Sequence, residues 1–205
     1  MSGPYAEAPR LPAGCIEVAS LARGDWVELE IGPGRGWFLI DRAELEPRAA
    51  IVGLEIRRKW ATVVRSRLES RGLGARVRIF AEDAGDALPR LGPDASIRRI
   101  FVHFPDPWWK KRHAKRRVVR DRFVGEAARL LEPRGELFVQ TDVEERARAY
   151  ESLVDLDVRF RPAGDVVGCP RMGDNPYGAR SPREKRAMCD GLPVHRLRWE
   201  RVEAA

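Results

Sequence analysis

From Trp26 onward the chain alternates short apolar runs, each closed by a glycine or an acid, with stretches whose apolar residues recur at helical spacing. That alternation is the strongest constraint on the fold, because strand, helix and strand in succession bury their apolar faces best as a parallel sheet covered by helices. Strands are expected at Trp26 to Glu30, Ala50 to Glu55, Val77 to Ala81, Arg99 to Phe104 and Glu136 to Thr141, with later ones near Val158 to Phe160 and Val194 to Val202. Helices are expected over Arg57 to Arg71, where Trp60, Val63, Val64 and Leu68 share a face, and over Val118 to Leu131 and Val143 to Leu156. The expected fold is α/β, a doubly wound Rossmann-like sheet that is mostly parallel with an antiparallel strand near the C-terminus.

With 205 residues, one domain over 25–205 is expected, preceded by a flexible arm over 1–24 that is rich in Pro and Gly. Hydrophobic residues at 43% suffice for a packed core. The segment 161–183 crowds Gly, Pro and Arg together, and a loop of that length in a compact domain is usually functional or mobile. The excess of 38 Lys+Arg over 31 Asp+Glu leaves a net charge of +7, which favours an anionic partner, nucleic acid first. Cys15, Cys169 and Cys189 are odd in number and far apart, so neither a disulfide framework nor a metal site is expected. The opening MSGPYAEAPRLPAG lacks the basic start and apolar run of a signal peptide, and no segment approaches 18 consecutive apolar residues. A cytoplasmic protein with no membrane association is expected, either monomer or homodimer.

"ELEIGPGRGWFLI" joins the first strand to a helix through Gly32, Gly34 and Gly36. Glycines there let the backbone turn tightly and approach a ligand closely. The spacing is GxGxG rather than the dinucleotide GxGxxG, and Glu30 sets an anion where a pyrophosphate would sit. Such a loop repels phosphate and suits a cationic nucleoside, of which S-adenosylmethionine is one. Nineteen residues past Gly36, Glu55 ends the second strand, the position from which a carboxylate accepts ribose hydroxyls. After the third strand, Asp83 and Ala84 are placed to meet an adenine amino group and ring, although an acid there is more often a helix cap. All three acids fall at carboxyl ends of strands, where open α/β sheets bind ligands.

The fourth strand runs into "FPDPWWKKRHAKRR". Together with "EIGPGRG", "VGLEI", Thr141-Asp142 and the tail "SPREKRAMCDGLPVHRLRWER", this block resembles the bacterial tRNA (guanine-N7-)-methyltransferases in order and spacing over residues 26 to 202. The resemblance implies a class I methyltransferase sheet and transfer of a methyl group from S-adenosylmethionine to N7 of a guanine in the tRNA variable loop. It implies that Asp106 is catalytic and lies beside the methyl donor, and that Glu30, Glu55, Ile56, Asp83 and Ala84 hold that donor. It further implies that Lys110, Asp142 and the segment from Ser181 to Glu184 meet the tRNA or the target nucleotide. One departure is visible: the family has TxxE with an aromatic before the Glu, whereas this chain reads Ser181-Pro182-Arg183-Glu184.

The chemistry agrees with that implication. Guanine N7 carries an in-plane lone pair, so methylation needs no base and no covalent enzyme intermediate; positioning supplies most of the rate. The ring gains positive charge as the methyl arrives, and a fixed carboxylate such as Asp106 stabilises it. Pro105 and Pro107 restrict the backbone around Asp106. Of Trp108 and Trp109, one is expected to stack on a base and one to pack in the core. Lys111, Arg112, Lys115, Arg116 and Arg117 suit RNA phosphates, with His113 among them, while His103 and His195 read as structural. Three other readings compete: methylation of an exocyclic amine, which would carry an (N/D)PPY-type corner; an NAD-dependent oxidoreductase, opposed by GxGxG and Glu30; and an RNA-binding protein without catalysis.

Overall fold

The computed structural model describes residues 5–105 and 118–203. Its strands are β1 (Ile16–Glu17), β2 (Trp26–Ile31), β3 (Ala49–Leu54), β4 (Val77–Phe80), β5 (Leu91–Gly92), β6 (Ile97–His103), β7 (Leu131–Thr141), β8 (Phe160–Pro162), β9 (Arg171–Met172) and β10 (His195–Arg201). The helices are α1 (Trp37–Leu45), α2 (Arg58–Ser70), α3 (Ala84–Ala87), α4 (Asp121–Leu130), α5 (Glu144–Val154) and α6 (Pro182–Cys189).

The main sheet runs β4-β3-β2-β6-β7-β10-β8, with β9 also on β10. β2, β3, β4, β6 and β7 are mutually parallel, and β10 is antiparallel to β7, β8 and β9. The chain steps outward from β2 through β3 to β4, then returns to the other flank of β2 as β6, which opens a crevice at the carboxyl ends of β2 and β6.

Alternation along the strands sorts the core into two faces. Leu29, Val52, Ile100, Val102, Leu137 and Val139 pack with Phe123, Ala127 and Leu130 of α4 and with Ala147 and Val154 of α5. On the other face Ile51 and Ile79 meet Leu39 and Ala43 of α1 and Val64 and Leu68 of α2, while Phe101 and Phe138 meet Phe38 and Tyr177. Glu28 and Glu30 point to this second face because they alternate with Val27, Leu29 and Ile31. Glu28 is fully buried and holds Arg42 at 2.7 Å and Arg99 at 2.8 Å. Burial alone would raise its pKa, but the two guanidinium groups hold the carboxyl below its ordinary value.

The structure corrects three expectations. The arm is not free over its described part: Ala8, Leu11, Ile16, Val18 and Ala22 are buried, and Ala81 N–H donates to the Pro9 carbonyl at 2.6 Å, covering the edge strand β4. Glu82 fastens that segment through Arg10 (2.9 Å) and the Leu11 N–H (3.1 Å). The Pro133-Arg134-Gly135 turn lies inside β7 as an irregularity, with Arg134 at φ +65°, so that strand starts at Leu131. The 161–183 loop contains β8 and β9, and Arg171 ties it to Glu144 (2.9 Å) and Glu151 (2.5 Å) of α5.

Candidate functional site

An open cleft of about 1010 Å³ occupies the crevice, lined by the ends of β2, β6 and β7 and by the first turns of α5 and α6. Glu30, Gly32, Gly34, His103 and Pro105 form one wall; Thr141, Asp142, Tyr150, Ser181 and Arg183 form the other.

The glycine loop takes left-handed backbone at Gly34 (φ +55°) and Gly36 (φ +74°), which a residue with a Cβ adopts only under strain. A Cβ on Gly36 would lie 2.5 Å from Val64 Cγ1, so that glycine lets α1 begin against α2. A Cβ on Gly32 or Gly34 would meet nothing within 4 Å. The loop therefore bares its backbone to the cleft. Glu55, buried at the end of β3, accepts from the Gly34 and Arg57 N–H groups, each at 2.9 Å, and so sets the loop's position. Two acceptor sites of that carboxylate remain. Asp83 caps α3 by accepting from Gly85 N–H at 2.7 Å. The commoner role of such an acid is thus realised, on an exposed residue. Ala84 behind it is buried, whereas Ile56, after Glu55, is 63% exposed.

Glu30 carries the main electrostatic feature. Its Oε1 lies 2.9 Å from His103 Nδ1, and both side chains are buried. Its Oε2 is buried with no partner among the described residues, as is His103 Nε2. Burial raises the Glu30 pKa; His103 opposes that shift and the Glu55 carboxylate adds to it. His103 is accordingly not a mere packing residue: it lines the cleft, packs tilted against Phe38 with ring centroids 4.1 Å apart, and orients Glu30. Sequence reasoning missed it, although its position at the end of a strand beside that of Glu30 was the available signal. His195 pairs with Glu144 at 3.2 Å, away from Glu30.

A raised folded-state pKa means that the protonated form of Glu30 favours folding. This contribution is complete below the ordinary value of 4.5 and is lost as pH rises through the folded pKa. Glu30→Gln is therefore expected to raise Tm at pH 7 to 8, with the gain vanishing below about pH 4.5. Thermal melts across that range check the sign, and a variant less stable at pH 8 than at pH 4 relative to wild type contradicts it.

On the opposite wall the polar side chains are engaged with neighbouring groups. The Ser181 hydroxyl accepts from Glu184 N–H at 3.2 Å and caps α6, with Pro182 at its first position. Ser-Pro-Arg-Glu is thus a helix-start pattern of the S-x-x-E type, a signal present in the sequence. Glu184 is fully buried; it accepts from Arg196 at 2.9 Å and from Asn175 at 3.1 Å, and faces no solvent. Asp142 pairs with Arg183, accepting from its Nε at 3.1 Å and from its Nη2. In this structure Glu184 holds the fold, whereas Asp142 and Ser181 line the cleft.

Phe104 leaves β6 at φ +48° with its N–H on the Gln140 carbonyl at 2.8 Å. A bulky residue in that region is strained and is held there by its surroundings. Pro105 follows it into the cleft wall. Asp106, Trp108, Trp109, Lys110, Lys111, Arg112, His113, Lys115, Arg116 and Arg117 lie outside the described residues.

A methyltransferase family model matches residues 25–163. The tRNA (guanine-N(7)-)-methyltransferase of Anaeromyxobacter dehalogenans is 42% identical over 177 residues, covering 85% of this chain and 85% of that protein. That of Myxococcus xanthus is 33% identical over 202 residues, covering 93% of this chain and 96% of that protein. The chain belongs to the tRNA (guanine-N7-)-methyltransferase family. In three dimensions, TrmN from Thermus thermophilus superposes with a TM-score of 0.60 at 19% identity over 88% of this chain and 45% of its own, a likeness of fold.

As a member of that family the chain has S-adenosylmethionine as its cofactor, and the described residues fit it. An unpartnered buried carboxylate oxygen on Glu30 answers a cation, the bare Gly32 to Gly34 backbone admits a close ligand, and Glu55 retains acceptor capacity. When bound, S-adenosylmethionine supplies a methyl group activated by a sulfonium. Among the described residues, no group of three or more His, Cys, Asp and Glu could hold a metal, and no helix is long and apolar enough to cross a membrane.

Proposed function

We propose that this methyltransferase methylates N7 of a guanine in the variable loop of tRNA, with Asp106 as the catalytic residue. Family membership carries the reaction, and the cleft at the β2–β6 crevice with the unsatisfied Glu30 carboxylate supports the placement of the cofactor. Glu30 and Glu55, with Gly32, Gly34, Gly36, Ile56, Asp83 and Ala84, hold the cofactor on the β3 and β4 side of the cleft. On this reading the target base enters between Pro105 and the Asp142 to Ser181 wall, and the cations Lys110 to Arg117 hold the RNA backbone. Asp142 and Ser181 remain candidates for substrate contact, Asp142 by exchanging Arg183 for the nucleotide. The residues have no proton to remove from N7; they exclude water, align the ring and oppose its developing positive charge.

The test is incubation with methyl-labelled S-adenosylmethionine and unmodified tRNA, followed by reduction and aniline cleavage. Cleavage at one variable-loop guanine is the expected result. Label on an adenine or cytosine amine, or on protein alone, overturns the N7 reading, and absence of label supports a protein that only binds RNA.

A further inference from the structure

Arginines in this protein are mostly matched to acids: Arg42 and Arg99 to Glu28, Arg171 to Glu144 and Glu151, Arg196 to Glu184. Around the glycine loop and α2 a group of cations departs from that pattern. Arg35, Arg57, Arg58, Lys59, Arg67 and Arg71 form no ion pair among the described residues, and all but Arg67 are exposed. Arg35, Lys59, Arg67 and Arg71 are connected through Trp60 and Trp37. Arg35 lies 5.0 Å and Lys59 5.4 Å from the Trp60 ring centroid. Arg67 donates to the Arg35 carbonyl at 2.9 Å and sits 5.0 Å from the Trp37 ring, which Arg71 meets at 5.7 Å.

We propose that this face, built from the glycine loop and the outer side of α2, is a second contact surface for the backbone of the RNA substrate. It stands on the β3–β4 flank of the cleft, across from the Asp142 to Arg183 wall, and reaches the cleft through Arg35 and Arg57. Neighbouring cations with no acid paired to them among the described residues repel one another, and a polyanion relieves that repulsion by releasing its counterions. Guanidinium groups over indole rings are held in place for phosphate; Arg67 and Arg71 each spend one N–H on a backbone carbonyl, of Arg35 and of Arg67, and keep their other donors. Between residues 58 and 71 no large apolar side chain is exposed; Ile56, beside Arg57, is 63% exposed, and a single such side chain falls short of the apolar face that insertion into a lipid surface needs. The assignment rests on the tRNA reading above.

The experiment reverses Arg58, Lys59 and Arg71 together, none of which lines the cleft, as Arg58→Glu/Lys59→Glu/Arg71→Glu in the full chain. A second variant, Arg58→Gln/Lys59→Gln/Arg71→Gln, serves if the first fails to fold. Affinity for unmodified tRNA is measured over a range of salt, beside S-adenosylmethionine binding by calorimetry and methyl transfer by the wild type. The expected result is a tRNA affinity at least about tenfold weaker and a log–log salt slope flatter by about 2, from roughly 0.7–0.9 per lost phosphate contact. Cofactor affinity is expected to stay within about twofold, as the positions lie outside the cleft. A wild type that methylates tRNA while the variants keep its affinity and slope overturns this inference alone, as a face made for an acidic protein would. Equal loss of cofactor binding overturns it as damage to the cleft. A wild type that neither binds nor methylates tRNA overturns both this inference and the tRNA reading.

Discussion

Asp106→Asn is expected to lower kcat by about 10²–10³, the range for removing one electrostatic stabiliser of a transition state. The isosteric amide keeps size and hydrogen-bonding reach but cannot oppose the positive charge that spreads over guanine as N7 becomes methylated. Binding of S-adenosylmethionine should change by less than about threefold, because on the proposed reading Glu30 and Glu55 hold the cofactor's charged and ribose groups from other strands. Single-turnover methyl transfer, read beside calorimetric cofactor binding, separates the two. Equal losses in both would make Asp106 a cofactor ligand rather than the catalytic residue. The strained Phe104 and the following Pro105 bring the chain to the cleft wall immediately before this residue.

Glu184→Ala is expected to destabilise the protein by about 3–5 kcal/mol, because it leaves Arg196 and Asn175 buried without their carboxylate. For a chain of this size that lowers Tm by roughly 6–20 °C. A residue acting only on RNA would instead leave Tm unchanged and raise KM for tRNA. The double variant Glu184→Met/Arg196→Met should recover much of the lost Tm, since apolar side chains of similar size remove both buried charges together. Thermal melts of the two variants decide between a fold-holding and an RNA-contacting carboxylate.

The residues differ in how far they were legible. The strand-helix alternation placed β2, β3, β4, β6 and β10 within about two residues, because burial on a parallel sheet imposes local patterns. The GxGxG loop and Glu30, which line the cleft, were legible for the same local reason. Asp83 shows the limit: an acid at a strand end looks alike as ligand and as cap, and its Oδ1 caps α3, which leaves Oδ2 for the proposed cofactor contact. Glu184 shows it more sharply, because its partner Arg196 arrives on β10 and Asn175 from the preceding loop. The apolar residues of the N-terminal arm are few and separated by Pro and Gly, so their burial against β4 and β5 left no periodic trace.

By itself the sequence determined the class of sheet and the glycine loop with its carboxylates, and its resemblance to the methyltransferase family implied the chemistry, all written in short segments whose meaning is local. Only the tertiary structure decided which acids are free and which are spent. That Glu30 shares His103 yet keeps one oxygen unpartnered among the described residues, that Glu184 is locked to Arg196, and that the cations around α2 lack an acid among those residues all depend on distant segments meeting. A charged side chain's role is set by what stands within a few ångströms of it, and sequence order does not record that distance.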